Sequence, residues 1–142
     1  MPRLFVDTGA FYALADRSDR HHLAARAAWL ESAQTDELVT TDHVVVESWL
    51  LLRARLGRPA AMRWWDALAR GAVTVVGVTS QDLGRARDIA GGWPDQDFSL
   101  IDCTSFAVLE RLGLDRAFTF DTHFRIFRLG PRRDRALTLI PS

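Results

Sequence analysis

Short strand-like runs that break off at polar residues constrain this chain more than any other feature. Leu4-Phe5-Val6 is continuously apolar, the pattern of a strand buried on both faces, and stops at Asp7-Thr8-Gly9. Leu38-Val39-Thr40, the β-branched Val73-Thr74-Val75-Val76, Ala117-Phe118-Thr119-Phe120 and Leu137 to Ile140 are equally brief. Helical patterns separate them. Phe11 to Ala15 forms a turn or two, and His22 to Ala33 places Leu23, Ala27 and Leu30 at helical spacing. Thr41 or Asp42 N-caps a long helix from about His43 to Leu56 that Gly57 ends, and Pro59 opens another through Trp64, Trp65 and Leu68 to Gly71. Ser80 caps a helix that fails at Gly91-Gly92-Trp93-Pro94, and Ser99 starts one that runs to about Leu112 and stops at Gly113. Alternation with this many helices predicts a mostly parallel central sheet covered on both faces, a three-layer α/β/α sandwich. With 142 residues, 48% of them apolar, and no repeat or linker, a single domain over residues 1–142 is expected. A chain of that length buries roughly 70% of its unfolded surface.

Composition then removes whole classes of chemistry. The 18 basic residues balance 18 acidic ones, and every basic residue is arginine. Without lysine there is no Schiff base, no phosphate-loop lysine and no lysine general base, because arginine stays protonated. The lone Cys103 can form neither an internal disulfide nor a four-thiolate zinc site, and its apolar setting from Ile101 to Val108 marks it as a buried structural thiol. The chain reaches Asp7 after three apolar residues, too few for a secretory leader core, and no run approaches the ~18 apolar residues of a membrane span. A cytoplasmic location and no membrane partner are therefore expected. Acids, histidines and hydroxyls must carry any catalysis.

Among the acids, Glu47 is the most out of place. It lies inside Val44-Val45-Val46-Glu47-Ser48-Trp49-Leu50-Leu51-Leu52, and its helical neighbours are His43, Val44, Leu50 and Leu51, with no arginine within a turn. An unpaired carboxylate on such a stripe costs several kcal/mol if ionised, so it is neutral, paired across the fold, bound to a metal, or at a helix margin reaching water. Asp7 and Asp121 each end a strand, where open parallel sheets line their ligand crevice. Capping offers a structural alternative: Asp7 for the turn at Thr8-Gly9, Asp121 for a helix over Thr122 to Phe127. Asp102 follows Ser99 by three residues, a capping-box spacing, yet it also sits in the first turn of a helix aimed at the same end of the sheet. Four acids from four elements converging without an arginine repel one another. Mg²⁺ or Mn²⁺ relieves that repulsion with oxygen ligands, and such a site suits phosphodiester hydrolysis by an activated water.

The pieces Phe5-Val6-Asp7-Thr8-Gly9, Glu47, Asp97-Phe98-Ser99-Leu100-Ile101-Asp102-Cys103-Thr104-Ser105-Phe106 and Phe118-Thr119-Phe120-Asp121-Thr122-His123-Phe124 span nearly the whole chain. In order and spacing they resemble the PIN-domain ribonucleases, and among these the VapC-type toxins of VapBC toxin-antitoxin systems. The resemblance implies that Asp7, Glu47, Asp102 and Asp121 form a catalytic Mg²⁺ site, that Thr8 and Ser99 support it, and that Asp97 ranks below them. It also implies an RNA substrate, a homodimer, and a VapB-type antitoxin that fills the acidic groove. Gly9 stands where many relatives carry a small hydroxyl residue, so one supporting hydrogen bond is expected to be missing.

Outside those pieces, His21 and His22 are expected in solvent, and His43 at a helix start. His123 is expected near the site without acting as the base. Trp49, Trp64 and Trp65 fall on the two middle helices as packing residues, with a dimer or antitoxin surface as the next option. Residues 31 to 47 hold acids but no arginine, whereas 111 to 135 are arginine-rich. Arg125, Arg128, Arg132 and Arg133, which follow Asp121, are the expected phosphate contacts on the groove rim, with a solvated face or antitoxin contact as the alternative. A phosphatase of the haloacid-dehalogenase type also begins with a strand and Asp, but needs a second Asp at position 9 and a downstream lysine. The other alternative is a catalytically weak PIN domain serving as an RNA-binding or protein-interaction module.

Overall fold

A computed structural model describes all 142 residues. Five parallel strands form the central sheet: β1 (Arg3–Val6), β2 (Glu37–Thr41), β3 (Thr74–Val76), β4 (Arg116–Phe118) and β7 (Thr138–Ile140), in the order β3-β2-β1-β4-β7. Strands β5 (Arg128–Leu129) and β6 (Arg135–Ala136) pair as a separate antiparallel hairpin. The chain moves outward from β1 to β3, then returns across the sheet to β4, so right-handed crossovers place the intervening helices on opposite faces. The result is the α/β/α sandwich, with β1 and β4 at the point where the strand order reverses. A ligand crevice opens at that point, beyond the carboxyl ends of the strands.

The helices are α1 (Thr8–Ala15), α2 (His22–Thr35), α3 (Asp42–Leu56), α4 (Arg58–Ala67), α5 (Ser80–Gly92), α6 (Leu100–Leu112) and α7 (Thr122–Ile126). Their ends follow local chemistry. The Thr41 hydroxyl accepts from the Val44 amide at 3.1 Å and opens α3. Gly113 closes α6 in the left-handed region (φ 67°), where a Cβ would crowd the following carbonyl. Thr79, not Ser80, caps α5: its hydroxyl accepts from the Asp82 amide while the Asp82 carboxylate accepts from the Thr79 amide. Strand β4 ends at Phe118, two residues before the expected Phe120, and the Thr119 hydroxyl just beyond it donates to Asp7. No helix is long and apolar enough to cross a membrane.

Leu4, Phe5 and Val6 are completely buried, as the unbroken apolar run requires. Helix α6 is buried from Asp102 through Leu109, and its Phe106 stacks on Phe127 with ring centroids 4.0 Å apart. Phe98 meets both Phe106 and the His123 ring edge to face. This aromatic packing fixes α7 and His123 against the start of α6. Cys103 is buried within it, and burial pushes its thiol pKa up.

Candidate metal centre

Asp7 leaves the carboxyl end of β1, and its amide donates to Phe118 of the neighbouring β4 at 3.0 Å. It is the first residue before α1, yet its side chain makes no capping bond. Its Oδ2 instead accepts from the Thr119 hydroxyl at 3.0 Å, a partner that sequence spacing gave no reason to choose. Glu47 projects from the middle of α3, half-buried, and Oε2 accepts from the Thr8 hydroxyl at 3.0 Å. Gly9 lies beside them with open space where a Cβ would stand, so position 9 adds no hydroxyl.

For Asp102 and Asp121 the capping role and the site role coexist. Asp102 Oδ2 accepts from the Ser99 amide at 3.1 Å while the Ser99 hydroxyl accepts from the Asp102 amide at 3.0 Å, a complete capping box. Asp121 Oδ1 accepts from the His123 amide at 2.9 Å and caps α7. Each cap occupies a single oxygen. Oε1 of Glu47, Oδ1 of Asp102 and Oδ2 of Asp121 accept no hydrogen bond from the chain. All four acids, with Thr8, Gly9 and Ser99, line one cavity of about 430 Å³.

His123 was placed near the site by the sequence, and its geometry is specific. Nδ1 lies 2.7 Å from Asp102 Oδ2 and 3.6 Å from Asp121 Oδ1. Burial alone would lower the imidazole pKa, but the hydrogen bond to Asp102 and the charges of Asp121, Asp102 and Asp97 outweigh it and hold the pKa above the usual value. Ligand atoms of Asp102, Asp121 and His123 lie within 4.8 Å of one another, a spacing that one ion can span. Asp97 is exposed and outside the cavity lining, acting on the site only through its charge.

The electrostatics are those of crowded, partly buried carboxylates. Burial pushes the Asp7 carboxyl up to about 7, even though the Thr8 amide and the Thr119 hydroxyl favour its charged form, and the charges of Asp102 and Asp121 raise it further. Burial raises Glu47 too, opposed by the Thr8 hydroxyl and reinforced by Asp102 and Asp121. Asp102 is raised mainly by burial, against the pull of its His123 hydrogen bond. No arginine pairs with any of the four. All-oxygen donors, mutual repulsion and unpartnered oxygens facing one cavity fit a hard divalent ion.

The arginines expected on the groove rim do not line the acidic cavity. Arg128 and Arg133 line a different cavity, beside Trp93 and Gly113, and Arg125 and Arg132 line neither. Arg128 is spent on three carbonyls at the end of α7, those of Arg125, Ile126 and Phe127, and Arg133 donates to the Gly92 carbonyl while lying over the Trp93 ring. The arginines that do line the acidic cavity are Arg20 and Arg55. The two histidines expected in solvent are half-buried: His21 stacks on Phe120, and His22 Nδ1 lies 2.8 Å from the Ala13 carbonyl. His43 stays at the start of α3 and outside the cavity.

This geometry coincides with a family resemblance that covers the chain. Residues 4–128 match the profile of the PIN domain. The 23S rRNA-specific endonuclease VapC20 of Mycobacterium tuberculosis is 31% identical over 121 residues, 85% of this chain and 91% of that protein. Ribonuclease VapC26 of the same organism is 27% identical over 139 residues, 97% of this chain and all of that protein. The crystal structure of VapC20, described as a sarcin–ricin loop cleaving toxin, superposes with a TM-score of 0.79 at 30% identity, covering 84% of this chain and 90% of that one. VapBC2 from Rickettsia felis, solved on a promoter DNA fragment, shares the fold at a TM-score of 0.69 and 9% identity, with 96% of each chain covered. The profile match, the sequence identity and the superposition agree, and the chain belongs to the PIN-domain family.

Proposed function

We propose that this protein is a Mg²⁺-dependent endoribonuclease and the toxin of a VapBC-type pair. The observation that carries the proposal is the convergence of Asp7, Glu47, Asp102 and Asp121 on one cavity with no arginine paired to any of them. We assign these four as the catalytic, metal-holding set, with Thr8 and Ser99 in support. A divalent ion bound there, Mg²⁺ or its substitute Mn²⁺, supplies charge neutralisation at the phosphate and acidifies a water. The chain's own contribution is orientation. Thr119 fixes Asp7, Thr8 fixes Glu47, and the capping box with His123 fixes Asp102. Each carboxylate thereby keeps its geometry before any ligand arrives, which limits reorganisation during the reaction.

The similarity to VapC20 and VapC26 supports RNA as the substrate, and the sarcin–ricin stem-loop of 23S rRNA is the first RNA to try. Cleavage is expected with Mg²⁺ or Mn²⁺, and it should stop in chelator and in Asp7→Asn or Asp102→Asn. If those variants cut RNA as fast as the wild type, the four acids are not the active centre. RNA binding without metal-dependent cleavage would instead favour the weak-nuclease alternative.

Two apolar surfaces fit the partners of such a toxin. Val45, Val46, Trp49, Leu50 and Trp65 form an exposed patch on α3 and α4, which we assign to a second copy of the chain. Phe11, Leu14, Trp29, Trp64 and Leu68 line a separate groove among α1, α2 and α4, which we assign to the antitoxin in addition to the acidic cavity. An adjacent reading frame encoding a small DNA-binding protein that copurifies with this chain would support the pairing. Its absence would remove the toxin role while leaving the nuclease intact.

A further inference from the structure

The acidic cavity has a wall that the metal chemistry leaves unused. His21, in the turn between α1 and α2, stacks on Phe120 beyond β4 with ring centroids 4.4 Å apart and planes 10° from parallel. Arg20 Nε donates to His21 Nε2 at 3.2 Å and so orients the ring. Arg55, in the last turn of α3, places its guanidinium 4.9 Å from the centroid of the Tyr12 ring, and the Tyr12 hydroxyl is itself tied to Asp16 at 2.6 Å. All of these except Asp16 line the same cavity as the four acids.

Charge makes this wall informative. Asp19 joins the four acids in the lining, so an approaching polyanion meets five carboxylates. Arg20 and Arg55 are the arginines that stand against them, and both are exposed. Neither takes part in an ion pair, although carboxylates line the cavity beside them. Unpaired guanidiniums at the mouth of an acidic site can bind phosphate in a fork that a point charge cannot match. A flat, half-exposed pair of rings beside them offers a π-face to a base, provided that base is not already stacked in a duplex.

Resting on the ribonuclease reading above, we propose that Arg20 and Arg55 bind the substrate phosphates flanking the scissile bond and that the His21–Phe120 stack receives an adjoining unpaired base. RNA then enters over the α1–α2 turn, not along residues 125–133. Arg20, Arg55, His21 and Phe120 are substrate-positioning residues, and the four acids remain the reacting set.

Steady-state cleavage of a fluorescein-labelled RNA stem-loop at several salt concentrations tests this. Arg20→Gln with Arg55→Gln should raise KM with little change in kcat, and flatten the salt dependence of log kcat/KM by roughly 0.7 per arginine removed. His21→Ala should raise KM several-fold and leave the salt slope as in the wild type, because stacking carries no counterion release. Melting temperatures establish that the variants fold. If Arg55→Gln melts low through loss of its contact with Tyr12, the exposed Arg20→Gln alone carries the charge test. A wild-type KM and slope in the arginine variants overturns the inference, as does a slope that flattens instead in Arg125→Gln with Arg132→Gln. A wild-type protein that fails to cut RNA in Mg²⁺ overturns the ribonuclease reading first, and this inference with it.

Discussion

Asp7 sets folding against chemistry within one side chain. Its carboxyl rests near 7 in the folded chain against an ordinary 3.8, mainly because burial penalises the charge. Between those values the folded state keeps a proton that the unfolded chain releases. The contribution of Asp7 to stability is therefore greatest below pH ~4 and is lost as the pH rises toward 7, at up to about 1.4 kcal/mol per pH unit. In chelator, wild-type unfolding free energy should fall across that window, and Asp7→Asn should flatten the profile and melt higher at pH 8. Mg²⁺ acts in the opposite sense, because it binds the ionised form and should stabilise the wild type at pH 8 far more than at pH 5. Denaturant titrations from pH 4 to 8 check both. Parallel profiles for wild type and Asp7→Asn would mean that Asp7 is ionised in the empty site.

At the scale of the element, α6 shows why capping and catalysis need not compete. Ser99 and Asp102 satisfy each other's amides at the helix start, and the same Asp102 Oδ2 meets His123. Ser99→Ala removes the hydroxyl cap and should cost about 1 kcal/mol. It should also weaken Mg²⁺ binding, because Asp102 loses the partner that fixes its backbone. Thermal melts with and without Mg²⁺ measure both effects, and an unchanged melting temperature would show that the cap contributes nothing to α6. Strands, helices and stop signals were legible in the sequence because they depend on neighbours: Thr41, Gly57 and Gly113 act within a turn of themselves. The four acids were legible as candidates because Asp7 and Asp121 follow strands, Glu47 sits on an apolar helical stripe and Asp102 opens a helix at the same end of the sheet. The arginine rim was not, because chain proximity to Asp121 says nothing about where a long side chain finds its acceptors. Arg128 found them at the end of α7. His21 and Phe120 meet only because β4 lies beside β1, a relation that no local pattern encodes. The two-residue strands β5 and β6 are too short and too rich in arginine to register as strands.

The whole molecule is neutral, but its charges are segregated by what they serve. Acids without an arginine partner gather where the strand order reverses, and elsewhere buried acids are paired with arginine, as Asp82 is with Arg111 at 2.9 Å. That pairing holds the Asp82 carboxyl below its ordinary value despite its burial. Val46 at 59%, Leu50 at 54% and Trp65 at 48% exposure lie together with Val45 and Trp49 around one apolar depression on α3 and α4. Sedimentation should find a dimer that Val46→Glu with Leu50→Glu converts to monomers. A dimer that survives both substitutions would place the interface elsewhere. The central claim, that the four acids form a divalent-cation site, is tested most directly by anomalous diffraction from crystals soaked in Mn²⁺. A peak is predicted in the acidic cavity at roughly 2.1 Å from the unpartnered oxygens of Asp102 and Asp121, and lost in Asp102→Asn. An empty cavity at Mn²⁺ concentrations that support RNA cleavage, or a peak bound away from these acids, would contradict it.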